Sequence, residues 1–305
     1  MSITILMRKL SCLPGIRRKR VRIWAIAVLA TLLLLGLQAA FPECRPHQTL
    51  SWALAPKVAL AIFFAAMVCE YVDSSLGMGY GTTLTPALLL AGFEPLQLVP
   101  CVLLSEFLSG LSAFILHHRD GNVDLLHDGQ AKRATVMISL LSVVGTIAAV
   151  TLAVRIPGSW LKGLIGAVIL LTGLTTLATI RQQLRYRPGH LIALGAVAAF
   201  NKGLSGGGYG PLVTSGQVVS GLSAKKAVAI TSLAESLTCF VGLTAYLILG
   251  KTIDWGMALP LTTGALMSVP IATLTVRRIP ERAMRASVGV ATILLGTLTL
   301  ARLLW

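Results

Sequence analysis

From Trp52 onward the chain is a succession of apolar runs, most of them near the roughly 20 residues that a helix needs to cross a bilayer. Lipid offers no hydrogen bonds to a peptide backbone, so such runs must satisfy their own N–H and C=O groups as helices. The runs are Trp52 to Val72, Thr82 to Phe93, Gln97 to Leu116, Ala134 to Val154, Trp160 to Ile180, Leu191 to Phe200, Pro211 to Ser220, Ala227 to Leu249, Trp255 to Val276 and Ala283 to Leu300. Thr82 to Phe93 and Pro211 to Ser220 are too short to cross, and each directly follows a glycine cluster. An earlier run, Ile23 to Ala40, follows the basic block Arg17, Arg18, Lys19, Arg20 and Arg22. Its long leader and poor cleavage pattern near Ala39 and Ala40 favour a retained first helix over a signal peptide.

A chain that is 55% hydrophobic and 12% charged, with mean hydropathy +0.81, does not have the surface of a soluble protein. The net charge of +15 is not a nucleic-acid signal, because the Lys and Arg lie between apolar runs and not on a solvated patch. No nucleic-acid partner is expected; the bilayer is. Cys12, Cys44, Cys69, Cys101 and Cys239 form no CxxC and pair with no close histidines, so neither a disulfide framework nor a zinc site is indicated.

A shift of 129 positions, the separation of Gly77 and Gly206, superposes the two halves without a gap from about Glu70 to Asn122. Gly77, Gly79, Tyr80, Gly81, Thr85, Gly92, Glu106, Leu108 and Gly121 fall on Gly206, Gly208, Tyr209, Gly210, Thr214, Gly221, Glu235, Leu237 and Gly250. The match of Glu106 with Glu235, inside apolar runs, carries the most weight. If each short segment forms a hairpin with its predecessor, a cytoplasmic N-terminus leaves only Arg45, Lys57, Arg155, Lys162, Lys251 and Arg302 outside, with Lys202 within a hairpin. All the other Lys and Arg are then inside, as the positive-inside rule requires. Each repeat then makes an odd number of crossings, which inverts the second relative to the first.

The predicted architecture is an all-α polytopic membrane protein of two inverted repeats, each a glycine-broken helical hairpin plus three transmembrane helices, with an extra N-terminal helix. A basic cytoplasmic N-terminus (1–22) leads to the extra helix (23–40), the first transport repeat (52–180), a basic cytoplasmic loop (181–190) and the second, inverted repeat (191–305). The expected location is the cytoplasmic membrane.

A glycine cluster at bilayer depth frees backbone polar groups that only protein or a polar cavity can satisfy. The segments around Ser74, Ser75, Gly77, Gly79, Tyr80 and Gly81, and around Ser205, Gly206, Gly208, Tyr209 and Gly210, each end at the start of a short helix. The first N–H groups of such helices, with their positive dipole ends, suit an anion. Two of them could face one small anionic substrate; alternatively the glycines only allow close helix packing. Asn201 and Thr82 add neutral hydrogen bonds, either to a substrate or as caps. Lys202 could attract the anion, with its repeat mate Asp73 as a balancing charge; a Lys202–Asp73 salt bridge or snorkelling to the interface are the alternatives. Glu106 and Glu235 are candidates for coupling to a proton or cation, or for structural hydrogen bonds between helices; Glu70 stands near the same tip.

His117, His118 and His127 with Asp120, Asp124 and Asp128 read as a polar cytoplasmic loop after a helix ending near Leu116, not as a metal site. Gly121-Asn122-Val123-Asp124 and Gly250 to Asp254 read as turns with an Asp helix cap. The glycine clusters follow helices and not strands, so no dinucleotide or phosphate-loop fingerprint applies and no cofactor is expected. Neither GxSxG nor HExxH occurs, and no enzyme is indicated.

On these motifs the chain resembles the sulfite exporter TauE/SafE family, also called the toluene-sulfonate uptake permeases. The resemblance spans roughly Lys57 to Leu304 and rests on Gly77-Met78-Gly79-Tyr80-Gly81 with Pro86, on Gly121-Asn122-Val123-Asp124, and on Ser205-Gly206-Gly207-Gly208-Tyr209-Gly210-Pro211. It implies a secondary transporter of a small anion such as sulfite, an organosulfonate or a related sulfur or carboxylate anion. Tyr80 and Tyr209 replace a usual third glycine, and the added first helix containing Trp24 also departs from the pattern. A channel built on Gly-Tyr-Gly lacks the Thr-Val lead-in and fourfold repetition of potassium filters. A non-transporting membrane scaffold is the other alternative.

Overall fold

The computed structural model describes residues 55–123, 129–178, 188–219, 222, 224–275 and 281–302. The expected first helix at 23–40, the basic stretch 1–22, most of the central loop, and His127, Asp124 and Asp128 lie outside them. The described residues are helical, with no strand among them. The helices are α1 (Pro56–Leu76), α2 (Tyr80–Leu90), α3 (Pro95–Arg119), α4 (Gly129–Arg155), α5 (Gly158–Ala178), α6 (Pro188–Ser205), α7 (Tyr209–Val219), α8 (Ala224–Ile248), α9 (Trp255–Thr275) and α10 (Glu281–Ala301). Six helices, α1, α3, α4, α5, α8 and α9, contain stretches long and apolar enough to cross a membrane.

The burial pattern is that of a protein in lipid. Leu60, Phe64 and Val68 on α1 face outward, as do Val136, Leu140 and Val144 on α4, and Ile248 on α8 is 79% exposed. Glu70, Glu106, Glu235 and Lys202 are meanwhile inside. Apolar side chains outside and charges within are stable only where the surroundings are hydrocarbon.

The repeat is visible in the backbone. α1 ends at Gly77 with φ +69°, where the Gly77 N–H donates to the Asp73 carbonyl at 2.5 Å, and α6 ends at the mate Gly206 with the same φ, its N–H donating to the Lys202 carbonyl. Gly79 and Gly208, mates again, also have positive φ, as do Gly121 and Gly250 in the turns after α3 and α8. A side chain at Gly77 or Gly206 would strain this left-handed geometry. The short helices begin at Tyr80 and Tyr209, two residues earlier than the apolar runs predict, because the chain becomes helical as soon as the glycine turn is complete.

Packing repeats as well. α1 lies against α9 as α6 lies against α4, and α3 contacts α9 as α8 contacts α4. α3 packs on α8, and α5 on α10, each with its own counterpart. Every one of these pairings maps onto itself or another when the halves are exchanged. Small residues permit the close approaches. Gly110 of α3 would place a Cβ 3.0 Å from the Ser232 carbonyl oxygen of α8, and Gly264 of α9 would drive one into the Phe63 carbonyl oxygen of α1.

Two helix ends show why they stop where they do. Asp254 caps α9, accepting the Gly256 N–H at 2.9 Å, as the sequence predicts for that turn. α3 runs on past Leu116 to Arg119, since His117, His118 and Arg119 place polar and basic side chains on its last turn.

Replacing Gly264 by Leu is expected to destabilise the protein by about 1–3 kcal/mol through overpacking at the α1–α9 contact. Gly129→Ala, where a Cβ meets nothing within 4 Å, is expected to be neutral. Equal melting temperatures for both variants in detergent would contradict this packing.

Candidate functional site

The two helix breaks meet each other. A Cβ on Gly81 would run into the carbonyl oxygen of Gly206, and one on Gly210 into the carbonyl oxygen of Gly77. These two contacts are repeat mates, so the tip-to-tip interface reads the same from either half. Gly207 is equally close, its Cβ position lying 2.6 Å from the Gly81 carbonyl carbon. Hydroxyls knit the contact: Thr214 donates to the Gly77 carbonyl at 2.7 Å, and the Gly208 N–H donates to the Thr82 hydroxyl at 3.1 Å.

Beside the tips lies a buried ionic cluster. Lys202, in the last turn of α6, is 0% exposed. Its ammonium pairs with Glu106 of α3 and, at 2.7 Å, with Glu235 of α8. The carboxylate partners of Lys202 are thus the two repeat-related glutamates and not Asp73, and the full burial of the side chain rules out snorkelling. The reason is placement: α3 and α8 pack on each other, and Lys202 emerges where both are in reach. Glu106 also accepts the Gly81 N–H at 3.0 Å and the Cys239 thiol at 3.7 Å. A helix N-terminus favours an anion, and at α2 that anion is a carboxylate of the protein itself.

The remaining predicted residues divide by what they touch. Asp73 is buried and accepts the Tyr80 N–H at 3.4 Å. Ser74 donates to Glu70 at 2.5 Å, and Ser109 donates to the other Glu70 oxygen at 2.9 Å. Ser75 and Ser205 return their hydroxyls to the carbonyls of Tyr71 and Asn201 in their own helices, and Ser205 also accepts the Gly207 N–H. Asn201 is buried, with its side chain beside Gly208. Tyr80 and Tyr209 are wholly buried, their hydroxyls bonded to Ser105 at 2.7 Å and Ser142 at 3.1 Å. Those bonds tie each tip to a flanking helix, α3 for the first and α4 for the second.

Three participants were less legible. Glu70 has no repeat mate of its kind, since position 199 is alanine. His117, predicted in a loop, is instead buried in α3; it bonds the Ser74 carbonyl at 2.9 Å and Asn122 at 2.9 Å. Ser109 gave one usable signal, lying three residues after Glu106 on the same helix face. Among the described residues, no three His, Cys, Asp or Glu side chains converge to hold a metal ion.

The site can therefore present backbone N–H groups, hydroxyls and one ammonium to a ligand at a contact between two broken helices, which is how membrane transporters hold small polar solutes. The chain is similar to a probable membrane transporter protein, YtnM, of Bacillus subtilis (strain 168), 29% identical over 259 residues, covering 80% of this chain and 83% of that protein. It is similar also to a probable membrane transporter protein, ORF9, of Sinorhizobium sp, 29% identical over 177 residues, 56% of this chain and 65% of that one. No solved structure matches. The model of the sulfite exporter TauE/SafE family matches residues 61–299, nearly the whole described helical unit, and the chain belongs to that family of multi-pass membrane transporters.

Proposed function

We propose that this transporter moves a small anion, sulfite, an organosulfonate or a related sulfur or carboxylate anion, across the cytoplasmic membrane by alternating access at the two glycine tips. The observation that carries the reading is Lys202: a fully buried ammonium at a helix break, next to a half-helix N-terminus. Burying a charge of this kind is costly, and within membrane segments such charges mark substrate and ion pathways. An incoming anion would compete with Glu106 for the ammonium and the Gly81 N–H. The released Glu106 would then need the substrate's entry to be matched by a change in its own partners, which couples occupancy to conformation.

The inverted arrangement fits this scheme. The tip contacts and the helix pairings of one half match those of the other, and the Lys and Arg distribution supports a cytoplasmic N-terminus. Opening on either side then amounts to the same motion performed by opposite halves. The substrate-binding set is the one read from the sequence: Ser74, Ser75, Gly77, Gly79, Tyr80, Gly81, Asn201, Lys202, Ser205, Gly206, Gly208, Tyr209 and Gly210. Within it, Gly81 and Lys202 are the direct anion donors, and the tyrosines hold the tips in place.

Two measurements test the reading. Gly210→Leu, which forces a side chain into the Gly77 carbonyl, is expected to abolish sulfite-induced thermal stabilisation, and unchanged binding would contradict a site at the tips. Lys202→Met alone leaves two uncompensated carboxylates and is expected to cost about 3–5 kcal/mol of stability. The triple variant K202M/E106Q/E235Q removes every charge of the cluster and is expected to recover stability while sulfite flux into proteoliposomes stays lost. Saturable flux in that stable variant would remove Lys202 from the substrate site.

A further inference from the structure

Beside the ionic cluster, two buried carboxylates have no cation partner among the described residues: Asp73, which takes a backbone N–H from Tyr80, and Glu70. Glu70, 1% exposed and about two turns before Gly77 on α1, receives among the described residues only the hydroxyls of Ser74 and Ser109. Glu106 and Glu235 are held differently. The Glu106 donors include a backbone N–H and the Lys202 ammonium, and Glu235 takes the same ammonium. Ammonium and backbone N–H groups only donate, so they suit a carboxylate and leave a protonated acid without acceptors. A hydroxyl both donates and accepts, and it rotates to suit. Glu70 can therefore keep both partners whether it is the ion or the neutral acid, whereas Glu106 and Glu235 share an ammonium that favours the ionised form.

Resting on the transport reading above, we propose that Glu70 is the proton-carrying side chain of the transporter. Its carboxylate takes one proton from water on one side of the membrane to become the acid, and releases it to water on the other, while Glu106 and Glu235 remain the counter-ions of Lys202. No other bond is made or broken in this step. The electrostatic surroundings fit an alternating charge. On its own helix, Asp73 and Cys69 are near; from α3 come Glu106 and His117, which holds the Ser74 carbonyl, from α8 Glu235 and from α2 Tyr80, while Lys202 of α6 acts on Asp73, Glu106 and Glu235. α9, which packs along α1, has no titratable residue, and α10 is uncharged from Ala286 to Ala301. The negative neighbours outnumber the single cation, and that cation is committed elsewhere.

His117 is a positioning residue in this arrangement. The Ser74 carbonyl can only accept, so Nε2 carries the hydrogen, and Nδ1 accepts from the Asn122 amide. With both ring nitrogens committed, His117 fixes the backbone of Ser74, whose hydroxyl holds Glu70.

The test separates proton site from substrate. In infrared spectra of the purified protein without substrate, the carbonyl stretch of a protonated carboxylic acid is expected to appear and disappear across a pH titration. It should be lost in Glu70→Gln and retained in Glu106→Gln and Glu235→Gln. In proteoliposomes, Glu70→Gln is expected to exchange sulfite but to lose its accumulation under a pH gradient. A titrating band that persists in Glu70→Gln, or accumulation that survives there, overturns the proposal. A band lost in Glu70→Gln together with no sulfite flux in the unaltered protein supports the proton site and overturns the substrate reading. Should Glu70→Gln fail to fold, the double variant S74A/S109A must move the band's titration midpoint by about tenfold in proton concentration or more, and an unmoved midpoint overturns the proposal.

Discussion

Two helix breaks buried inside a membrane transporter face a shortage of hydrogen-bond partners, and here they are relieved by each other and by a flanking helix. The Gly77 carbonyl takes the Thr214 hydroxyl, the Gly208 N–H finds Thr82, and the Gly81 N–H finds Glu106. A buried unsatisfied backbone group costs about 1–3 kcal/mol, so neither break would survive alone. This requirement explains the glycines at positions 81, 207 and 210, where backbone meets backbone and no Cβ fits, while Gly77 and Gly206 supply the left-handed turns that end the two helices. It explains the surrounding frame as well: α3 and α8 must pack closely enough to bring Glu106 and Glu235 to the same ammonium.

Mutual satisfaction also makes the contact breakable. Its bonds pass between hairpins and hydroxyls and not within a continuous helix, so separating the tips exposes groups that a polar solute or water can satisfy in turn. The same is true of the Lys202 cluster. An ammonium shared between two carboxylates loses little by accepting an anion in place of one of them, provided the displaced carboxylate finds another donor. A buried charge set with replaceable partners is a switch; one with fixed partners is a brace.

Much of this is written in the sequence, and the glycines show why. Positive φ at Gly77 and Gly206, and at Gly79 and Gly208, is a local property that a glycine can announce by itself, and repetition makes it unmistakable. Likewise the two short helices follow from run length. What was not legible is which carboxylate Lys202 would choose, because Asp73, Glu70, Glu106 and Glu235 are equal candidates until the faces of α1, α3 and α8 are placed. His117 was hidden for a similar reason. Its polarity suggested an ended helix, whereas the tertiary fold brings the Ser74 carbonyl to it from a segment 43 residues away.

The places where the repeat fails are as informative as those where it holds. Thr214 has two hydroxyl-mediated bonds, to the Gly77 carbonyl and to Thr231 at 2.9 Å. Its mate Thr85 is wholly buried with no partner for its hydroxyl among the described residues, because Val102 stands where the other half has Thr231. At Gly206 the space a Cβ would take is lined by the Val102 methyl and the Thr85 oxygen, so the Thr214 bond to the Gly77 carbonyl has no counterpart there. Lys202 opposite Asp73, and Glu70 opposite an alanine, continue the pattern. A perfectly symmetric interface would open equally well from either half. The unequal hydroxyls and charges remove that degeneracy, so the alternating access proposed above would have different energies in the two halves.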